Sequence, residues 1–528
     1  MVKGIWGLIC CGLAVAGLTL GVPSANAAST QNYLPAQFVA KQYTEGLGRM
    51  PDQPGWHSAV SWFAASGCTA QSVAGFGESL FTSAEYNGLG YDNTGKLVTL
   101  YRGSLDRDAD QSGMDNWLGQ LSGGLSWPDV VAKFFTSSEF TALVPKICSG
   151  AVDASGSSYY FGTYPAIALP TSGSGITGDE QAVQTALDAA PAGGTVTLAK
   201  RALIELTEPL VIPAGVTLTT AGSPDPRHYA DMARLVRAAN FAEPKTLTGM
   251  VQVRSNATAS NLWIDGERNT PGNTAPLTDV MTYGTGATVS SDVIGNTQAP
   301  NTVYLLGGFD GYACGSMTVS GNLITAYSSD HYLADDWTDG ISGNCEGASI
   351  TGNQVVDATD VGIVVYRNTT TSAQHSTVSG NSVLSAGNSM YGGLGFDPLF
   401  DPAGSPAQTF PFTGGKITGN TVWSGPDSHF DIGITDGSRA WFAGTYTADT
   451  GTGAAITGNT TGTVGARVQT GVAVNGMLDT TVSGNTLTFS HIGAGTCAKV
   501  DYAAELAEHY ASGTFDPQPT DVNLDGCV

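Results

Sequence analysis

The sequence predicts a mainly β fold, a solenoid of stacked coils, placed behind a small all-α domain built from two similar units. Three observations carry this. A Gly-Asn mark recurs: SGN at 320–322, TGN at 351–353, SGN at 379–381, TGN at 418–420 and 457–459, SGN at 483–485, with IGN at 294–296 taken as a further member. A second mark alternates with it, Gly before an apolar residue: Gly340-Ile341, Gly362-Ile363, Gly393-Leu394, Gly433-Ile434 and Gly471-Val472. Repeating landmarks signify stacked units rather than one globular core. Composition agrees, since 70 of 528 residues are Gly, 12% are charged and 41% are apolar; that balance suits a β-rich extracellular chain and argues against disorder.

The elements follow in chain order. Lys3, the apolar run IWGLICCGLAVAGLTL and then PSANA read as a secretory signal peptide, residues 1–27, cleaved after Ala27. No later stretch is long and apolar enough to span a bilayer. Residues 31–148 form the helical domain. Tyr43, Leu47, Arg49, Asp52 and Gly55 match Tyr101, Leu105, Arg107, Asp110 and Gly113, each 58 residues later, and the units close on FTSAEY and FTSSEF. Ser126 before Trp127-Pro128 is an N-cap with Pro in the first turn, and each Arg–Asp pair is expected to brace a loop and cap the next helix. Asp106, Asp108 and Asp110 are faintly like calcium-loop ligands, but Gly113 comes too late for an EF-hand.

A Ser/Gly/Thr/Pro-rich linker, 149–178, comes next. Residues 179–495 are the solenoid, opening with an amphipathic helix that would cover the first coil, and 496–528 are a C-terminal cap or tail. The Asn marks from 296 to 485 are spaced 26, 31, 28, 39, 39 and 26 residues apart, so the longer coils carry insertions, and the spacing suggests about nine or ten coils. Gly is expected to make a bend, Asn to tolerate left-handed backbone and to stack as a ladder.

The formal charge of −24, from 21 basic and 45 acidic residues, excludes a general binder of nucleic acid or anionic membrane. Six cysteines remain after processing. Neighbourhood pairs them Cys68–Cys148, Cys314–Cys345 and Cys497–Cys527, as export permits.

The helical units resemble a tandem helical domain of unknown function common in bacterial secreted and S-layer-associated proteins, which implies attachment or modular targeting. The entry at 179–222 resembles that of pectate-lyase-like proteins. That resemblance implies a right-handed parallel β-helix of the pectin-lyase type.

Register between Gly340-Ile341 and Gly362-Ile363 places Asp339 and Asp360 on adjacent coils, about 4.8 Å apart. Asp335 and Asp336 precede that strand, Arg367 leaves the next, and Trp337 and Tyr366 offer sugar-stacking rings. Two carboxylates so placed suit glycosidic hydrolysis. Thr338-Asp339-Gly340-Ile341 resembles a segment of polygalacturonase-type hydrolases, which implies Asp339 as acid and Asp360 as one of a pair; the pair's second member is Val361 here. The lyase alternative uses Arg367 or His331 as base, with the aspartates holding Ca2+, the one cofactor considered. Lesser candidates are Asp265, Glu267 and Arg268 in a turn, Asp225, Arg227 and His228 in an excursion overhanging the groove, and His429 with Asp431. The expected function is recognition, with or without cleavage, of an extracellular polysaccharide by a secreted or cell-surface protein. The alternative is a non-catalytic surface or adhesion protein presenting loops.

Overall fold

The computed structural model describes residues 34–149, 166–242, 248–267, 277–297, 299–306, 314–325, 338–367, 373–387, 389–398, 408–437, 450–492, 506–509 and 511–521. The signal segment, Arg268, His331, Asp335, Asp336, Trp337, Cys497 and Cys527 lie outside these residues.

After the helices the chain winds through three long sheets, each joined in parallel register from coil to coil, with a short fourth formed by Thr409–Pro411, Thr450–Thr452 and Met477–Leu478. The first sheet runs through eleven strands from Thr195–Leu198 to Gly513–Phe515, the second through eight from Leu203–Leu206 to Thr421–Ser424, and the third contains thirteen, beginning at Leu210–Ile212. This is a parallel β-helix. Leu506–His509, Gly513–Phe515 and Thr520–Asp521 all pair with it, so the segment expected as a cap contributes further rungs. Within the linker, Ser172 already bridges to Lys200 and Ile176 to Leu198. The helix Glu180–Ala189 buries Val183 and Leu187 in the β-helix core, as a cover over the first coil must.

Both sequence marks acquire a physical cause. Each Asn from 322 to 459 donates its side-chain amide to a carbonyl of the coil before and to Oδ1 of the Asn on the coil after, the latter at 2.9 Å. Left-handed backbone is taken by the preceding glycines, with φ of 64–67° at Gly321, Gly352, Gly380, Gly419, Gly458 and Gly484, and by none of the ladder asparagines. Asn is therefore required for its amide, not for its backbone tolerance. Asn296 is not a member. Its place belongs to Asp292, whose N–H donates to Asn322 Oδ1 and whose own Oδ1 accepts from Leu262.

The second mark is steric. Ile341, Ile363, Leu394, Ile434 and Val472 stand in register as one core column. A Cβ on Gly340 would lie 2.5 Å from both the Gly362 carbonyl and Val355 of the opposite sheet, and Gly362 and Gly393 meet their neighbours in the same way. Only a bare Cα lets the two sheets close here.

The helical domain, Ala36–Leu47 to Ser138–Ser149, repeats its wiring as well as its sequence. Asp52 and Asp110 cap the helices that follow them through Gly55 and Gly113. Arg49 makes a two-pronged pair with Glu85 and lies over Tyr43; Arg107 does the same with Glu139 and Tyr101. Bracing and capping are as expected, while the closing Glu of each unit is the partner the sequence reading lacked. Cys68 is bonded to Cys148, and Cys314 to Cys345.

This domain does not hang from a tether; it lies on the second sheet. Trp263, Val293, Leu323, Val356, Leu384 and Trp423 point outward from that sheet into the helices' own core. Trp56 meets Trp423 edge to face at 5.1 Å. Trp263 is held between Arg102 of the helices, 4.7 Å away, and Arg234 of the coil, 4.0 Å away. Asp108 joins both arginines at 3.0 and 2.9 Å, and Asp106 pairs with buried Lys41, so the acids resembling a calcium loop are ion-pair partners and, in Asp110, a cap. The excursion Pro226–Asp231 also docks here: Tyr229 donates to the Glu45 carbonyl and Arg227 pairs with Glu85. It covers the second sheet's flank instead of overhanging a groove. Asp265 and Glu267 likewise answer Arg234.

Candidate functional site on the third sheet

The three outer faces differ in chemistry. Outward positions of the first sheet are a row of Ser and Thr, such as Thr288, Thr318, Ser349 and Thr377. The second sheet is covered. The third presents carboxylates and tyrosines.

Its first cluster centres on Asp339. Asn301 and Asp339 are register partners on neighbouring rungs. Asp339 is 2% exposed. Its Oδ1 accepts from the Val361 N–H at 3.1 Å, and its Oδ2 from the Tyr366 hydroxyl at 3.1 Å and the Asn301 amide at 3.4 Å. Asn301 also donates to Ser342 at 2.6 Å. Each oxygen thus faces a group that can only donate, which seats an anion.

Asp360 lies on the adjacent rung as expected, but one position out of step. Ile341 pairs with Ile363, so Asp339 stands opposite Val361 and Asp360 opposite Thr338, whose carbonyl accepts the Asp360 N–H. Asp360 is half-buried and reaches solvent. Its column continues along the sheet as Tyr391, Asp431 and Gln469. Gln469 donates to Asp431 at 2.6 Å, and His429 Nε2 lies 3.2 Å from the same oxygen. Tyr391, placed between two carboxylate-bearing rungs, was missed by the sequence reading. The signal was available: Asp360 and Asp431 each stand two before a Gly of the second mark, and the same step from Gly393 and Gly471 gives Tyr391 and Gln469.

The remaining candidates divide. Tyr366 joins the Asp339 cluster. Arg367 is buried, its guanidinium 4.0 Å over the Phe410 ring, so it is covered by protein where a base would need access. Aromatic side chains continue toward the first coils, where Met281, Tyr283 and Leu306 cluster with Tyr304, and Arg254 lies 4.4 Å over Tyr283.

Comparison with known proteins gives one domain match and a set of distant structural likenesses. Residues 77–144 match the model of a domain of unknown function, DUF4214. No curated protein matches the chain. Among solved structures it is similar to the endo-xylogalacturonan hydrolase of Aspergillus tubingensis, with 13% identity, TM-score 0.42, and 67% of this chain and 97% of that one covered. The mannuronan C-5 epimerase A-module of Azotobacter vinelandii gives 16% identity and TM-score 0.36 over 65% and 92%. An alginate lyase from Paenibacillus sp. gives 14% and 0.30 over 60% and 95%. By its own strand register the chain is a parallel β-helix, covered along one face by helices that include the segment matching DUF4214.

Proposed function

We propose that this is an exported protein that binds an extracellular polysaccharide along the outer face of the third sheet and cleaves it. The observation that carries the reading is the placement of Asp339 and Asp360 on adjacent rungs of the one sheet whose outer face bears acids and tyrosines in register. A glycan chain is extended and repeats its sugars, so a flat face with a periodic array of acceptors and rings complements it. Two carboxylates one rung apart supply the pair that glycosidic hydrolysis needs. Their environments divide the roles. Asp339 is the fixed anion, because donors occupy both its oxygens. Asp360, half-buried and reaching solvent, rather than Asp339 as the resemblance implies, is the group able to carry a proton to the leaving oxygen. Export agrees with the two bonded cysteine pairs, and among the described residues no helix is long and apolar enough to cross a membrane.

The test is a panel of neutral and uronate glycans, followed for reducing ends and for the ultraviolet absorbance of unsaturated ends. Reducing ends without absorbance are expected, and Asp360→Asn should lower the rate roughly 10²–10⁴-fold with the melting temperature unchanged. Absorbance would replace hydrolysis by elimination. Binding with neither product would leave a surface protein that presents the glycan without cutting it.

A further inference from the structure

The third sheet holds a second constellation that cleavage does not use. Ser389 immediately precedes the strand Met390–Asp397, and His429 immediately precedes Phe430–Gly437 on the next rung. Ser389 Oγ lies 2.9 Å from His429 Nδ1, and His429 Nε2 lies 3.2 Å from Asp431 Oδ1. Asp431 is 2% exposed, and the same Oδ1 accepts from the Gln469 amide at 2.6 Å. A carboxylate only accepts, so Asp431 beside Nε2 favours the tautomer with its proton there, in which Nδ1 accepts from the serine hydroxyl. Ser389 and His429 are half-buried, open to a group lying on the sheet.

A neutral, half-exposed Ser–His hydrogen bond adds only about 1 kcal/mol to a fold. Placing a buried, amide-clamped carboxylate behind the imidazole adds little to packing, and it is what a base needs to draw a proton from a hydroxyl. The order along the ring is the reverse of the familiar one, with serine at Nδ1, but a neutral imidazole relays a proton through either nitrogen.

We propose that Ser389 is a nucleophile toward acyl esters, with His429 as its base and Asp431 and Gln469 as positioning residues, and that it removes O-acyl groups from the polysaccharide. Oγ adds to the ester carbonyl carbon as its proton passes to Nδ1. The carbon–oxygen bond to the sugar breaks, and the sugar oxygen leaves with that proton as a free hydroxyl. Water then gives a proton to Nδ1 and its oxygen to the acyl carbon, and Ser389 departs reprotonated, releasing a carboxylic acid. The substrate class rests on the polysaccharide reading; the nucleophile does not.

The full-length chain would be treated with a fluorophosphonate probe and assayed with 4-nitrophenyl acetate. The expected result is a single adduct on Ser389, lost in Ser389→Ala. Asp431→Asn should slow acylation roughly 10²–10⁴-fold, with KM and melting temperature held. An unlabelled wild type, a label elsewhere, or ester hydrolysis unchanged in Ser389→Ala would overturn the proposal. Acetyl release from an acetylated glycan separates the two readings. Its loss in Ser389→Ala with chain cleavage retained supports both, whereas a labelled Ser389 without glycan binding keeps the nucleophile and removes the polysaccharide.

Discussion

The second and third sheets are made by the same coils, a few residues apart on each turn, yet their outer faces are opposites. The second is apolar outside as well as inside, with Trp263, Val293, Leu323, Val356, Leu384 and Trp423 buried under helices. The third keeps Asp360, Tyr366 and Tyr391 within reach of water. A strand apolar on both faces needs cover, and one with a polar outer face does not. The difference teaches that position around the coil, rather than position along it, decides whether an outward residue is packed under helices or left facing water.

That comparison can be broken most forcefully at the covered face. Trp263→Ala removes the ring between two arginines and opens a cavity, and should cost roughly 3–5 kcal/mol, read as a lower denaturation midpoint in which helical and β signals move together. Separate movement would mean that the two faces are less dependent on each other than their packing implies. Asn353→Ala, at the corner between the first and second sheets, leaves the Asn322 N–H and amide without their acceptor and should cost roughly 3 kcal/mol, measured in the same way.

Asp292 sharpens the point further. It occupies a ladder position, but its Oδ2 is buried without a hydrogen-bond partner, where the later asparagines present an amide. Burial holds its carboxyl well above the usual value of 3.8. A raised folded value means stability present in full below the ordinary carboxylate range and lost as pH rises through the folded value. Asp292→Asn should therefore raise stability by about 2 kcal/mol near neutrality and by almost nothing in acid, as two denaturation series at different pH would record. Smallest of all, Ser320→Ala on the open Ser/Thr face should change stability by no more than about 0.5 kcal/mol, by the same measurement.

Much of this architecture was legible in the sequence, because repetition is itself a physical signal. The Gly-Asn and Gly-apolar marks fixed register across coils of unequal length, and with it the proximity of Asp339 and Asp360. What escaped reading was of two kinds. Asn296 is no ladder member because a tripeptide match does not distinguish the corner from the end of the second sheet's strand Val293–Gly295, four residues on. The docking of the helical domain has a trace in the sequence, since LWID, VVD and TVWS are apolar at positions of both parities, but no single coil names the helices that cover it. Asn301, Ser342 and the Glu85 and Glu139 partners escaped because their contacts join residues that no local pattern connects. His331, Asp336 and Trp337 lie outside the described residues, so that part of the expected cluster stays with the sequence reading.

The roof of helices over Trp263 and its neighbours has an evolutionary consequence. A gene that lost the N-terminal third would not release an independent β-helix; it would bare a strip of tryptophan, leucine and valine that invites self-association. Any cousin built from these coils without that roof must therefore bear hydrophilic side chains at those six places, and a graft of the roof onto another solenoid must bring the greasy strip along with it.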